Sequence, residues 1–360
     1  MSKILLLSKY SRKGASSRLR TMQYIPYLES QGVNITIKSF FNDEYLENLY
    51  SGKKISVFIL MTYYFKRFFA ILAVFKFDAV WVEKELFLYC PAVVEWLLGK
   101  LGVKYIVDYD DAIFHNYDMS NSKIIRYFLR RKIDVVMNNA HTVIAGNAYL
   151  AERAKNAGAK NVVIIPTVVD ANRYSEKAKV KNNGKLVIGW IGSPSTQKYV
   201  VQIKEALIQL NEIFDFSLCL VGATSDVLNE LKELDVNIDT WSEETEVNSI
   251  KKMDIGIMPL EDGPWEKGKC GYKLIQYMAC SVPVIASPVG VNRSIVDDNQ
   301  CGLLATSMVD WVNALKVLVE DTTKRELLGL NGRSTVLNIY STKAQENALL
   351  KILNSASEER

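Results

Sequence analysis

Histidine is scarce: His115 and His141 are the only two in 360 residues, so chemistry that gathers several imidazoles in one place has little to draw on. Cysteine is thinly spread. Cys90, Cys219, Cys270, Cys280 and Cys301 are odd in number and show neither the short paired spacings of a zinc site nor the density of a secreted disulfide scaffold. They read as reduced thiols of a cytoplasmic protein. Only four apolar residues, Ile4 to Leu7, precede Ser8 and Lys9, too few for the apolar region of a signal peptide, and they read as a first strand. Long uncharged apolar runs are missing too. The longest, Ile55 to Phe65, is about half of the ~20 residues that cross a bilayer as a helix, so no membrane span is expected. Neither a dinucleotide fingerprint of three spaced glycines nor a P-loop is present, which demotes dehydrogenases and P-loop kinases.

Acid is missing where base is not. From Asn48 to Phe77 there is no Asp or Glu, while Lys53, Lys54, Lys66, Arg67 and Lys76 punctuate a stretch of Phe, Tyr, Leu and Ile; a second basic cluster follows at Lys123, Arg126, Arg130, Arg131 and Lys132. Such interleaving suits peripheral contact of residues 48–77 and 123–132 with anionic headgroups on the inner face of the cell membrane. An ordinary core helix with a solvated basic face would show the same composition. A net charge of only +4, with both clusters in one half, argues against a nucleic-acid partner.

The length fits two domains of ordinary size. Short apolar runs alternate with helix-length segments: KILLLS, VNITIK, AVWVE, KYIVDY and TVIAG, then KLVIGWIG, FSLCLVG, DIGIMPL and VPVIAS. That alternation predicts an α/β protein with parallel sheets covered on both faces. Residues 174–185 are polar and lead into a strand at Leu186, so the pattern restarts there. The expected organisation is residues 1–173, a linker 174–185, a second domain 186–341, and a C-terminal helix 342–360 that either caps the second domain or packs back onto the first. Each half opens with a strand, a small-residue turn and a helix carrying basic residues. Two such Rossmann-like halves predict a ligand cleft at the carboxyl ends of the strands.

The most informative segment runs from Pro259 to Pro288 as strand, loop, a helix from about Gly271, and a buried strand. A helix N-terminus suits a diphosphate, and Lys267, Lys269 and Lys273 surround this one. Leu274, Met278 and Ala279 read as packing residues, leaving Gln276 as a polar group for a ribose. In the first half, YIVDYDDAIF puts Asp108, Asp110 and Asp111 at the end of a buried strand, where carboxylates must be exposed, paired or functional.

Taken together, KCGYKLIQYMA and VPVIASPVGVN resemble the donor-binding motif of the retaining family-4 glycosyltransferases, in a bacterial surface-polysaccharide subgroup. The resemblance covers most of the chain and is strongest at 138–166 and 254–292. It implies the GT-B fold and transfer of a sugar, UDP-sugar favoured, from a nucleotide-sugar donor to a glycan or polyprenyl-diphosphate-linked acceptor. It also implies retention and no metal or other cofactor. The family's two motif glutamates fall on Gly268 and Gln276 here, so the resemblance implies that Gln276 takes the ribose and that Glu266, or the backbone of Lys269 and Cys270, takes the sugar. Gly271 and Tyr272 fall at the helix start. The diphosphate turn falls on Gly192, Ser193 and Lys198, where the family's arginine is replaced by Ser193. Gly222 and Trp241 fall at the nucleobase pocket, although Trp241 would serve equally as a core aromatic.

The segment SKYSRKGASSRLR resembles the family's glycine loop, with Gly14 approaching the phosphates and Arg18 and Arg20 as nearby cations, unless these solvate the first helix. Asp110 and Asp111 are the implied residues for acceptor orientation or sugar contact, with Lys273 as the principal charge on the leaving group. Three rival readings stand beside this one. Asp108-Tyr109-Asp110 resembles the metal motif of GT-A transferases, in which a divalent cation bridges carboxylates and diphosphate. Nucleotide-sugar epimerases share the fold but need acid–base carboxylates and histidines in the cleft, and only His115 and His141 are available, which ranks them third. A relative that only binds nucleotide-sugar would also tolerate the missing glutamates.

Overall fold

The computed structural model describes residues 2–174 and 184–358. It divides into two compact units: Met1–Thr167 with Gly268–Cys270 and Gln345–Arg360, and Val168–Lys267 with Gly271–Ala344. Residues 175–183 of the expected linker lie outside the described residues. Tyr174, assigned by its polar neighbours to that linker, is instead buried in the second unit, where its hydroxyl donates to Glu246 at 2.8 Å.

Among the described residues twelve strands form two six-stranded parallel sheets. In the first unit β1 (Lys3–Leu7), β2 (Asn34–Ile37), β3 (Ala79–Glu83), β4 (Tyr105–Tyr109), β5 (Thr142–Ala145) and β6 (Val162–Ile164) lie in the order β2-β1-β3-β4-β5-β6. Every residue of β3 and β4 is buried, as expected of strands covered by helices on both faces. In the second unit β7 (Leu186–Ile191), β8 (Phe216–Val221), β9 (Val236–Asp239), β10 (Ile255–Met258), β11 (Val284–Ala286) and β12 (Gly302–Leu304) follow the order β12-β11-β10-β7-β8-β9, the dinucleotide-fold arrangement. Direction of winding reverses between β7 and β10. Tyr277 occupies that junction: its hydroxyl accepts from Ile191 N at 2.9 Å and donates to Ile257 O at 3.3 Å, while a side chain on Gly256 would collide with its ring.

The C-terminal helix Thr342–Glu358 buries Leu349, Ile352, Leu353 and Ala356, a stripe at helical spacing. From Gln345 onward it counts with the first unit, where Tyr27 donates to Asn347 Oδ1 at 2.6 Å.

One expectation is corrected. Val57–Lys76 is a single helical stretch long and apolar enough, by length and composition, to cross a membrane. Counting uncharged residues stopped at Lys66, but the helix Val57–Leu72 continues through Lys66 and Arg67, and Arg67 is buried on its inner face.

Candidate functional site

In the second unit the site is built where β7 and β8 end. The turn after β7 places Gly192 against Lys273: a Cβ on Gly192 would stand 2.8 Å from Lys273 Nζ and closer still to the Trp190 ring. Lys273 Nζ lies 4.5 Å from the centre of that ring and 3.3 Å from Thr196 Oγ1, so the ammonium is held over the turn. Gly222 follows β8 at φ 81°, and a Cβ there would come within 2.3 Å of Gly192 O and 3.3 Å of Trp241 Cβ. Both glycines are needed for close backbone approach, and Gly222 also for its left-handed conformation.

From Trp241 the chain of contacts continues inward. Trp241 is 38% exposed, which overturns the core-aromatic reading, and its Nε1 donates to Glu246 Oε2 at 3.0 Å. Gln276 Nε2 donates to the same oxygen at 3.2 Å and to Tyr174 OH at 3.1 Å. Both hydrogens of the buried Gln276 amide are thereby engaged within the protein. Glu246, itself buried, organises Trp241, Tyr174 and Gln276 at once. The sequence carried no signal for it, because it stands thirty residues before Gln276 in an unremarkable acidic run.

Gly271, at φ 66°, caps the helix Tyr272–Ala279, and a Cβ there would meet Ile295 Cδ1 at 2.5 Å. Tyr272 packs half-buried against the second unit's core. Ser193 Oγ shares hydrogen bonds with Ser195 and Thr196 in the turn after β7. Lys198 and Glu266 do not join this group. Lys198 Nζ lies over the ring of its neighbour Tyr199, whose hydroxyl donates to Glu266 Oε1.

In the first unit a second group of charges gathers at the ends of β1, β3 and β4. Arg20 does not solvate its helix: it is buried, donates from Nε to Asp108 Oδ1 at 2.9 Å and from Nη1 to Ile165 O at 2.9 Å, and its Nη2 stands 2.8 Å from Asp108 Oδ1 in an ion pair. Burial pushes the Asp108 carboxyl up to about 6 against the pull of Arg20. Asp110 pairs through Oδ1 with Lys84 at 2.8 Å and accepts from Ser16 Oγ at 2.5 Å. Burial opposes its ionisation, but Lys84 and Ser16 prevail and hold it down to about 2. Asp108 and Asp110 are thus each paired with a cation of the chain.

Burial and the Asp110 charge push Asp111 up to about 6, against Lys84, Lys269 and Lys9. The linkage sign follows: the native state holds this proton between about pH 4 and pH 6 and the unfolded chain does not, so stability falls as pH rises through that window. Asp111→Asn is expected to leave the melting temperature unchanged at pH 4 and to raise stability at pH 7.5 by on the order of 2 kcal/mol, measurable by calorimetry at the two pH values.

Lys84 was not anticipated. It is buried, stands at φ 67° immediately after β3, and its backbone N donates to Asp108 O at 3.0 Å. A lysine held in the left-handed region needs its surroundings to over-determine it, and here Asp110 does so. The charged triplet Glu83-Lys84-Glu85 at the end of a buried strand was the available signal, by the same reasoning that singled out the aspartates. Glu83 Oε2 accepts from Lys9 N at 2.9 Å and Ser17 Oγ at 2.5 Å, pinning the turn after β1. Gly14 in that turn is required by Tyr10, whose Cβ would lie 2.4 Å from a Gly14 Cβ. Arg18 is buried, with Nη1 3.4 Å from Arg12 O.

Lys269 and Cys270 fall in the first unit. Asn147 Nδ2 donates to Gly268 O at 2.9 Å and Lys269 O at 3.0 Å, and the Cys270 thiol donates to Asp110 O at 3.0 Å. Burial drives that thiol up to about 12, so the Cys270 side chain packs rather than reacts.

Residues 185–321 match the model of the family described as Glycosyl transferases group 1. No curated protein sequence matches the chain. Among solved structures, the chain resembles sucrose-phosphate synthase from Thermosynechococcus elongatus with a TM-score of 0.75 at 15% identity, each chain covered in full. Anabaena HepE in complex with UDP-glucose aligns with a TM-score of 0.74 at 15% identity, covering 99% of this chain and 100% of that one. WaaG, a glycosyltransferase involved in lipopolysaccharide biosynthesis, aligns with a TM-score of 0.70 at 13% identity, covering 98% and 99%. At these identities the likeness establishes the fold, GT-B with two Rossmann-like domains. With the matched domain it supports a glycosyltransferase.

Proposed function

We propose that this chain transfers a sugar from a UDP-sugar to a glycan or polyprenyl-diphosphate-linked acceptor, with retention and without metal, in the synthesis of a bacterial surface polysaccharide. The observation that carries the reading is the unbroken path Lys273, Gly192, Gly222, Trp241, Glu246 and Gln276 at the carboxyl ends of β7 and β8, within the matched domain. Ligands of doubly wound sheets sit at this end of the strands. The preference for UDP draws support from the UDP and UDP-glucose held by HepE.

In this reading Lys273 and the start of the helix Tyr272–Ala279 hold the diphosphate, with Ser193 at the turn after β7. Fixed positive charge there stabilises the departing diphosphate as the glycosidic bond breaks. Gln276 presents its amide oxygen to the ribose, and Trp241 beside Gly222 flanks the base. Asp111, backed by the Asp110–Lys84 pair, orients the acceptor or a sugar hydroxyl. The backbone of Lys269 and Cys270 contacts the sugar. The chain works in the cytoplasm at the inner face of the membrane.

Thermal melting with UDP, GDP, dTDP, ADP and CDP, each with Mg²⁺ or Mn²⁺ and again with EDTA, tests the donor site. UDP at about 100 times its dissociation constant should add roughly 2.7 kcal/mol and raise the midpoint by several degrees, EDTA or not. A shift that needs the metal would overturn the metal-free site; a shift with another base would overturn UDP.

A further inference from the structure

The helix Val57–Leu72 carries two opposite faces, and only one is covered by the protein. Phe58, Met61, Phe65, Phe68, Phe69 and Leu72 are all exposed, Phe58 at 80% and Phe69 at 65%. At about 100° per residue these six fall within an arc of about 100°. Tyr63, Arg67 and Ile71 fall on the other side and are buried. The inner face is fastened by polar contacts as well: Tyr63 OH donates to Asn42 Oδ1 at 2.6 Å, Tyr64 OH to Leu88 O at 2.8 Å, and Arg67 to Ser8 O with its guanidinium 5.1 Å from the centre of the Phe40 ring.

Exposed cations rim the apolar stripe, Lys53 and Lys54 before it, Lys66 beside it and Lys76 after it, and no acidic residue occurs from 48 to 77. A second patch repeats the chemistry. The helix Lys123–Leu129 exposes Ile124, Tyr127 and Phe128, at i, i+3 and i+4, with Tyr127 at 79% and Phe128 at 71%, beside exposed Lys123, Arg130 and Arg131.

A contiguous apolar stripe of this kind marks a contact site. We propose that these two helices seat the first unit on an anionic lipid surface, with the helix Val57–Leu72 lying in the interface along its length rather than crossing the bilayer. Charge selects the occupant. A second copy of the chain docked by the same patch would bring like cations face to face, whereas an anionic membrane offers acyl chains to the phenylalanines and phosphates to the lysines. Anchoring excludes the span: crossing would strip Tyr63, Arg67 and Ile71 from the first unit and place a guanidinium in hydrocarbon. The proposal deepens the reading of a lipid-linked acceptor, and only its purpose rests on that reading.

Co-sedimentation of the full chain with phosphatidylcholine vesicles, with and without phosphatidylglycerol, tests it. Binding should require phosphatidylglycerol, weaken severalfold at high salt, and fall at least about tenfold in the Phe65→Ser/Phe69→Ser variant, whose exposed positions leave the core intact. The variant's melting temperature and UDP response report folding separately, so failure of the donor site and failure of the surface are told apart. Absence of binding to anionic vesicles, or unchanged binding by the variant, overturns the proposal. So does resistance of the bound wild type to alkaline carbonate, which would mean a span, or a dimer in sedimentation velocity that the variant abolishes, which would mean a second copy.

Discussion

Lys273→Ala is expected to lower kcat by roughly 10²–10³, the loss typical of removing one preorganised group that stabilises developing negative charge. The melting temperature should fall by no more than about 3 °C, since the deletion removes a half-buried ammonium over the Trp190 ring, worth about 1 kcal/mol, and leaves the core of the helix Tyr272–Ala279 in place. Lys273→Arg should keep the charge and recover part of the rate, less than all of it because a planar fork does not fit the narrow space above Gly192. Steady-state kinetics with UDP-sugar beside calorimetry separates the two effects. Turnover like wild type in Lys273→Ala would remove the lysine from the site.

The largest effect on stability is expected from Asp108→Ala. Arg20 and Asp108 side chains are each only 2% exposed, and removing the carboxylate leaves a guanidinium inside the first unit with its counter-charge gone. Such one-sided deletions cost about 3–5 kcal/mol, while replacing both partners with apolar residues of similar volume is often close to neutral. Asp108→Leu with Arg20→Met should therefore melt well above Asp108→Ala. A double variant no better than the single one would mean that Arg20 acts mainly through Ile165 O and Thr167. Two-state denaturation of the first-unit transition provides the measurement.

These outcomes show where the sequence was legible. Alternating apolar runs identified nine of the twelve strands; eight of them sit in the sheets as buried tracts, while β2 is an edge strand with no fully buried residue, found by its alternation alone. The three not identified, β6, β9 and β12, are short edge strands with no fully buried residue, although β6 is itself the apolar Val162–Ile164. The restart at Leu186 was visible as the first strand of a second sheet. The placement of Tyr174 was not, since its polar neighbours hide a tyrosine whose partner Glu246 lies seventy-two residues away.

In the candidate site, Gly192, Lys273 and Gln276, read from local pattern, and Gly222, implied by the resemblance, do come together, because each stands at a strand end or helix start whose position the fold dictates. Residues whose role depends on a distant partner escaped. Glu246 and Lys84 matter through Gln276 and Asp110, and neither pairing leaves a mark in spacing. Glu266 shows the converse: it had the right neighbours in sequence but accepts from Tyr199.

The assignment of Gly268–Cys270 and Gln345–Arg360 to the first unit bears on how chains of this fold are recombined. A chimera that splices the donor-binding portion of a relative onto this chain at residue 167 alone would discard the tripeptide that Asn147 grips and the helix that buries Leu349 and Leu353. The grafted partner would supply foreign residues at both places. Swaps that retain 268–270 and 345–358 from the parent should yield soluble hybrids, and single-crossover swaps should not, so for this architecture the exchangeable module is a discontinuous set of residues rather than a stretch of gene.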